Sequence, residues 1–114
     1  MKSEPVDERH AEILQTEEAA LALSKLGHPV RLCIVQYLVQ AGEEGLAVGE
    51  IQSLLGIPGS TLSHHISHLL AGGLITQERQ SRVLRCFMNF ERMNGLVALL
   101  TDKCCAGVDL TDIK

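Results

Sequence analysis

Apolar positions recur with helical spacing along most of this 114-residue chain and give way to strict alternation only once, between residues 74 and 90. The first helical pattern runs from a candidate N-cap at Asp7 to about Leu26, with Ile13, Leu14, Ala20, Leu21 and Leu23 as its apolar stripe. Asp7, Glu8 and Glu12 suit the positive end of that helix, and Gly27 stops it. His28-Pro29 opens a second helix, because the N–H that proline lacks is not needed at a first helical position. Its expected buried stripe is Val30, Cys33, Ile34, Tyr37 and Leu38, which makes Cys33 a small core residue. Arg31 lies on the other side, within reach of a phosphate or of an acid on the first helix. Residues 42–45, Gly-Glu-Glu-Gly, read as a loop.

Residues 46–73 read as two helices joined by a tight turn. The first, over 48–55, places Ile51, Leu54 and Leu55 on one side, and Gly56 can supply the twist of the turn. The second, over 58–71, carries Leu62, Ile66, Leu69 and Leu70 at helical spacing and ends at Gly72-Gly73. Its other faces carry Ser60, Thr61, Ser63, His64, His65 and His68, with no acid among them. A helix that meets only water usually carries Lys and Glu. A surface of hydroxyls and imidazoles can lie against phosphates without repulsion and offer hydrogen bonds to base edges. The pattern therefore fits a helix-turn-helix whose second helix reads DNA, although helical hairpins of this shape also occur without DNA.

The alternation that follows predicts a two-stranded hairpin over 74–80 and 82–90, its tip near Gln80-Ser81. The tip lacks Asn-Gly or Asp-Gly, so a longer, looser loop is expected. Arg79, Arg82 and Arg85 concentrate positive charge there, as a wing that grips the DNA backbone would, or as a solvated edge hairpin would. A last helix runs from about Phe90 to about Cys104. Its face of Met93, Leu96, Val97, Leu99 and Leu100 is broader than one small domain covers, which suits an interface. The expected architecture is one domain over 1–114, mainly α with a small β-hairpin, a winged helix-turn-helix paired as a homodimer through its first and last helices. Residues 1–6 and 107–114 are expected to be flexible.

Composition changes this picture little. Aromatics are 3% of the chain, so the core is aliphatic. The net charge of −4 counts against a nucleic-acid partner only as a total. Six acids crowd residues 1–20 against Lys2 and Arg9, whereas 57–90 hold three arginines against Glu78. No apolar run approaches a membrane span and the N-terminus is polar and acidic, so a cytoplasmic protein without a membrane partner is expected. Four cysteines, Cys33, Cys86, Cys104 and Cys105, are too few and too irregular for a secreted disulfide scaffold.

Cys104-Cys105 is the main candidate for small-ligand chemistry. Two thiolates can clasp a soft, thiophilic centre. Zinc wants about four ligands, which this end of the chain does not offer, whereas trivalent arsenic or antimony needs only two or three sulfurs. The pair could instead be inert, close as a disulfide, or serve as a redox sensor. His64 and His68 stand four apart, a metal-ligand spacing, but no carboxylate accompanies them. Nothing resembles a nucleophile with its base, so an enzyme is not expected, nor a catalytic cofactor.

With LGHPVRLCIVQYL and IPGSTLSHHISHLLAGGLI in this order before a basic hairpin and a final helix, the chain resembles the ArsR/SmtB metalloregulatory repressors over about residues 8–105. The resemblance implies a winged-helix homodimer on a pseudo-palindromic operator, loosened when a metal or metalloid binds. Members that sense arsenite at the start of the helix-turn-helix have cysteines where this chain has Ala47, Gly49 and Gln52, and those that sense zinc on the last helix use histidines absent here after His68. DKCCAG matches the subgroup with a Cys-Cys pair after the last helix, which answers to arsenite or antimonite. A third cysteine often follows in that subgroup, and VDLTDIK contains none, so an organoarsenical is an equal candidate. The expectation is an arsenic(III)-responsive repressor that leaves double-stranded operator DNA when Cys104 and Cys105 bind the metalloid. The alternatives are a thiol-redox repressor and a protein-interaction module that no longer reads DNA.

Overall fold

The computed structural model describes residues 8–111, with side chains from residue 15 onward. The expected cap at Asp7, the side chains of Ile13 and Leu14, the end expected to be flexible at 1–6, and residues 112–114 of the one expected at 107–114 lie outside what is described. The elements are α1 (Glu8–Leu26), α2 (Pro29–Ala41), a 3-10 turn (Gly42–Glu44), β1 (Leu46–Ala47), α3 (Val48–Leu55), α4 (Gly59–Ala71), β2 (Ile75–Gln80), β3 (Val83–Met88) and α5 (Phe90–Thr101). Among the described residues no helix is long and apolar enough to cross a membrane.

The helices form where the signals stand. His28 accepts a hydrogen bond from Val30 N through Nδ1 at 3.1 Å and so caps α2, with Pro29 as its first residue. Gly56 ends α3 at φ 65°, the left-handed geometry that makes glycine the usual residue after a helix. Asn89 caps α5 by accepting from Arg92 N at 3.1 Å. Ile34, Leu38, Ile51, Leu62, Leu69, Leu74 and Cys86 are fully buried, so α2, α3, α4 and the sheet share one aliphatic core, joined by Ala19 and Ala22 of α1 and Leu96 of α5.

Two expectations about helix faces change, and one about a helix end. Cys33 is exposed, because the buried line of α2 is Ile34, Val35 and Leu38 with Val30 partly covered, and Cys33 falls outside it. Among the described residues of α1, Ala19 and Ala22 are buried and the expected Leu23 packs against the core with Leu26, whereas Ala20 is exposed and Leu21 is 53% exposed. Helix α5 ends at Thr101 and not near Cys104. Asp102 leaves the helical region at ψ 134°, and Lys103 and Cys105 take φ of 55° and 63°.

The hairpin is tighter and the sheet larger than expected. Gln80 pairs directly with Val83, leaving a two-residue loop in which Ser81 takes φ 60°. The short β1 pairs antiparallel with β3, Leu46 opposite Cys86 and Ala47 opposite Arg85, giving strand order β1-β3-β2. Gly45 makes that pairing possible. It is buried at φ 63°, and a Cβ there would collide with Cys86 O and sit 2.7 Å from the Phe87 ring.

Gly45→Ala should therefore destabilise the fold by about 2–4 kcal/mol, from the strained φ plus backbone displacement. Urea unfolding measures it, and a midpoint shift no larger than that of Gly49→Ala, where a Cβ meets open space, would contradict the account.

Candidate nucleic-acid interface and thiol pair

The polar face expected on α4 divides once the helix is seated. Ser60, Thr61, Ser63 and His64 are exposed. His65 is only 6% exposed and His68 is half-buried. His65 is therefore corrected from a groove-facing residue to an inner one. It follows Leu62 and Ile66 toward the α1–α2 corner because a helix that buries 62, 66 and 69 also turns 65 inward.

An imidazole placed there has lost water and needs partners. Arg31 Nε donates to His65 Nδ1 at 3.1 Å, and Arg31 Nη1 donates to Lys25 O in the last turn of α1 at 3.1 Å. The His28 ring lies 4.5 Å from that of His65, centroid to centroid. One guanidinium thus ties the end of α1 and the start of α2 to α4. Among the described residues the partners of Arg31 are His65 and the Lys25 carbonyl, and not the acid of α1 that the sequence allowed. Because arginine has only donors, His65 Nδ1 must accept and so carries no proton. Burial pushes the His65 imidazole below its usual pKa, with repulsion from His28 and Arg31 adding to it.

A second contact runs beside it. Lys25 Nζ lies 3.4 Å from His68 Nδ1, and His68 Nε2 lies 3.2 Å from His64 Nε2. Desolvation and the Arg31 and Lys25 charges hold the His68 imidazole below its usual pKa as well. Among the described residues no three His, Cys, Asp or Glu side chains gather as a metal cage.

On the wing, Arg79 and Arg82 are exposed near the tip. Arg85 is half-buried and already engaged. Its Nη1 donates to Glu44 O at 3.0 Å and to Gly45 O at 3.3 Å, and its Nη2 lies 3.8 Å from Glu50 Oε1. It braces the loop before β1 against β3, a role that the sequence did not suggest. The sequence missed this because β1, a two-residue strand, has no periodicity to detect.

Cys104 and Cys105 follow these elements in the chain, on the turn after α5. Both are exposed, with Sγ atoms 3.0 Å apart. Sharing a hydrogen with Cys105 pushes the Cys104 thiol up, and slight desolvation adds to this. Left-handed φ at Lys103 and Cys105 costs about 1–3 kcal/mol each and holds the pair on one short turn. Cys86 is fully buried, its thiol pushed up by burial and contacted by Gln77 Nε2 at 3.6 Å, so it takes no part in an exposed site.

Comparison with known proteins matches residues 26–78 to a helix-turn-helix domain family. The chain is 30% identical to the transcriptional repressor PagR of Bacillus anthracis over 89 residues, covering 78% of this chain and 87% of that protein. The solved structure of the transcriptional repressor BigR from Xylella fastidiosa is 31% identical and superposes with a TM-score of 0.62, covering 84% of this chain and 96% of that one. An ArsR-family transcriptional regulator, 22% identical, shares the fold at a TM-score of 0.66 over 77% of this chain and 88% of its own. All three are transcriptional regulators.

The junction carries a pH prediction. His65 and His68 are held neutral in the fold, while in the unfolded chain they take up protons near pH 6.5. Stability is therefore full above about pH 6.5 and falls as pH drops through that value toward the lowered folded-state pKa. Urea midpoints should decline from pH 7.5 to pH 5.5, and decline less in His65→Phe. An equal decline in the variant would show that this ring does not carry the effect.

Proposed function

The chain belongs to the ArsR family of winged-helix transcriptional regulators, and from that premise we propose that it is a homodimeric repressor released from operator DNA by trivalent arsenic or antimony on Cys104 and Cys105. The observation that carries the effector is the pair of exposed thiols 3.0 Å apart on a turn. Arsenite is a neutral As(III) hydroxide. Each sulfur replaces one hydroxyl, each thiol proton leaves with that hydroxyl as water, and arsenic keeps its oxidation state. The third position retains a hydroxyl, or holds the carbon of a mono-organic arsenical. Soft sulfur favours such a centre over hard cations.

A vicinal disulfide would also use this pair. Adjacent Cα atoms stand about 3.8 Å apart, below the roughly 4.4–6.8 Å that an unstrained disulfide wants. The geometry therefore favours a clasped metalloid over an oxidative switch.

DNA contact rests on Ser60, Thr61, Ser63 and His64, the exposed residues of α4, with His68 at its inner margin and Arg79 and Arg82 on the wing. The hydroxyls and imidazoles can bond base edges and phosphates, and the two arginines neutralise phosphates. The proposed dimer rests on α1 and α5. Leu21, Val97 and Leu100 are 53%, 54% and 66% exposed, and a second copy would cover them. Two α4 helices would then meet half-sites ~34–36 Å apart. Arsenic bound just after α5 sits next to that contact and can favour a dimer geometry that fits the operator poorly. An allosteric coupling of ~1–3 kcal/mol weakens binding roughly 5–150-fold.

In an electrophoretic shift with its operator, Cys104→Ser or Cys105→Ser should bind normally and lose release by arsenite. Normal release of both variants would discard the thiol site. Arg79→Ala and Arg82→Ala should each lower the slope of log K against log salt by about 1. An unchanged slope would remove that arginine from the DNA.

A further inference from the structure

The contact between α1 and the exposed face of α4 decides more than packing. We propose that Lys25, acting through His68, fixes His64 in its Nδ1–H tautomer and so makes it a hydrogen-bond donor on the reading face. The assignment rests on the proposed DNA reading only for its consequence and not for the tautomer itself.

The argument is one of donors and acceptors. An ammonium has three donors and no acceptor, so at 3.4 Å from Lys25 Nζ the His68 Nδ1 must offer its lone pair. A neutral imidazole carries one hydrogen, which then sits on His68 Nε2. That nitrogen lies 3.2 Å from His64 Nε2, which must accept. The one hydrogen of His64 is therefore on Nδ1. Free histidine in water favours the Nε2–H form, so the relay reverses the default. No hydrogen bond of the described residues engages His64 Nδ1, and the residue is exposed.

The relay is held by backbone. The Lys25 stem lies along Gly72, where an added Cβ would come within 3.0 Å of Lys25 Cβ and 3.1 Å of Lys25 Cγ. Gly72 has φ −81°, so glycine is needed there for room and not for conformation. With the stem pinned, the ammonium is placed beside His68 while its aliphatic part stays packed. His68 is a positioning residue in this scheme, and Lys25 a second one, since neither is the group that meets the base.

A donor on His64 suits an acceptor edge. Guanine offers N7 and O6 in the major groove, thymine O4 and any phosphate its oxygens. A residue near the end of α1 thereby selects what α4 reads, without touching DNA.

The test is long-range 1H–15N correlation of the histidine rings in the full chain at pH 8, where imidazole is neutral. The expected spectrum has His64 as Nδ1–H and His68 as Nε2–H. Lys25→Met should return His64 toward Nε2–H, and Lys25→Arg should keep Nδ1–H, because it restores a donor. A duplex enriched by the wild-type protein from a random-sequence pool should bind Lys25→Met roughly threefold to tenfold more weakly, the scale of one lost hydrogen bond, and bind Lys25→Arg nearly as well as wild type. Wild-type His64 found as Nε2–H, or spectra identical in Lys25→Met, would overturn the relay. A pool from which nothing is enriched would refute the DNA reading while the spectra still decide the relay.

Discussion

His65 sits on the inner side of α4, where an imidazole has given up most of its water, and Arg31 supplies the donor that makes this tolerable. The same guanidinium holds the final carbonyl region of α1 through Lys25 O. A buried polar group without a partner costs several times what a satisfied one contributes, so the junction is discriminating. It admits the one rotation of α4 that brings His65 Nδ1 to Arg31 Nε. That rotation fixes which residues face outward: Ser60, Thr61, Ser63 and His64. The surface proposed to meet DNA is thus set by an interaction on the opposite side of the helix.

The wing is placed by a comparable economy of parts. Gly45 lets the backbone pass under Phe87, β1 then adds to β3, and Arg85 clamps the entering loop by its carbonyls. The Arg85 guanidinium is engaged with two carbonyls and a carboxylate, whereas Arg79 and Arg82 are exposed near the tip of the wing. The division matters for function. One cation ties the loop before β1 to the hairpin, and the other two are the ones proposed to meet phosphates.

The thiols stand apart from this machinery, on a turn where two residues are held at positive φ. Their value as a sensor would come from position. They follow α5, which leaves Val97 and Leu100 open, as α1 leaves Leu21. Lys25, in the last turn of α1, touches both Arg31 and His68. An effector that shifted α1 against α5 would therefore bear on the contacts that seat the reading helix.

Much of this was legible in the chain itself. Periodicity located the five helices and the hairpin, Gly56 and Pro29 marked their ends, and the acid-free run 60–68 singled out α4. These are local properties, written in side-chain size, polarity and backbone preference. The sequence misplaced Cys33, carried α5 on to Cys104, and passed over β1 and the tight turn at Ser81. Above all it could not divide His64 from His65, or Arg82 from Arg85. Each such pair has the same chemistry, and the difference lies in partners far along the chain: Arg31 for one, the carbonyls of Glu44 and Gly45 for the other. Which way a polar side chain turns on a helix or strand depends on where a distant donor or acceptor arrives, and only the packed tertiary structure brings those atoms within bonding distance.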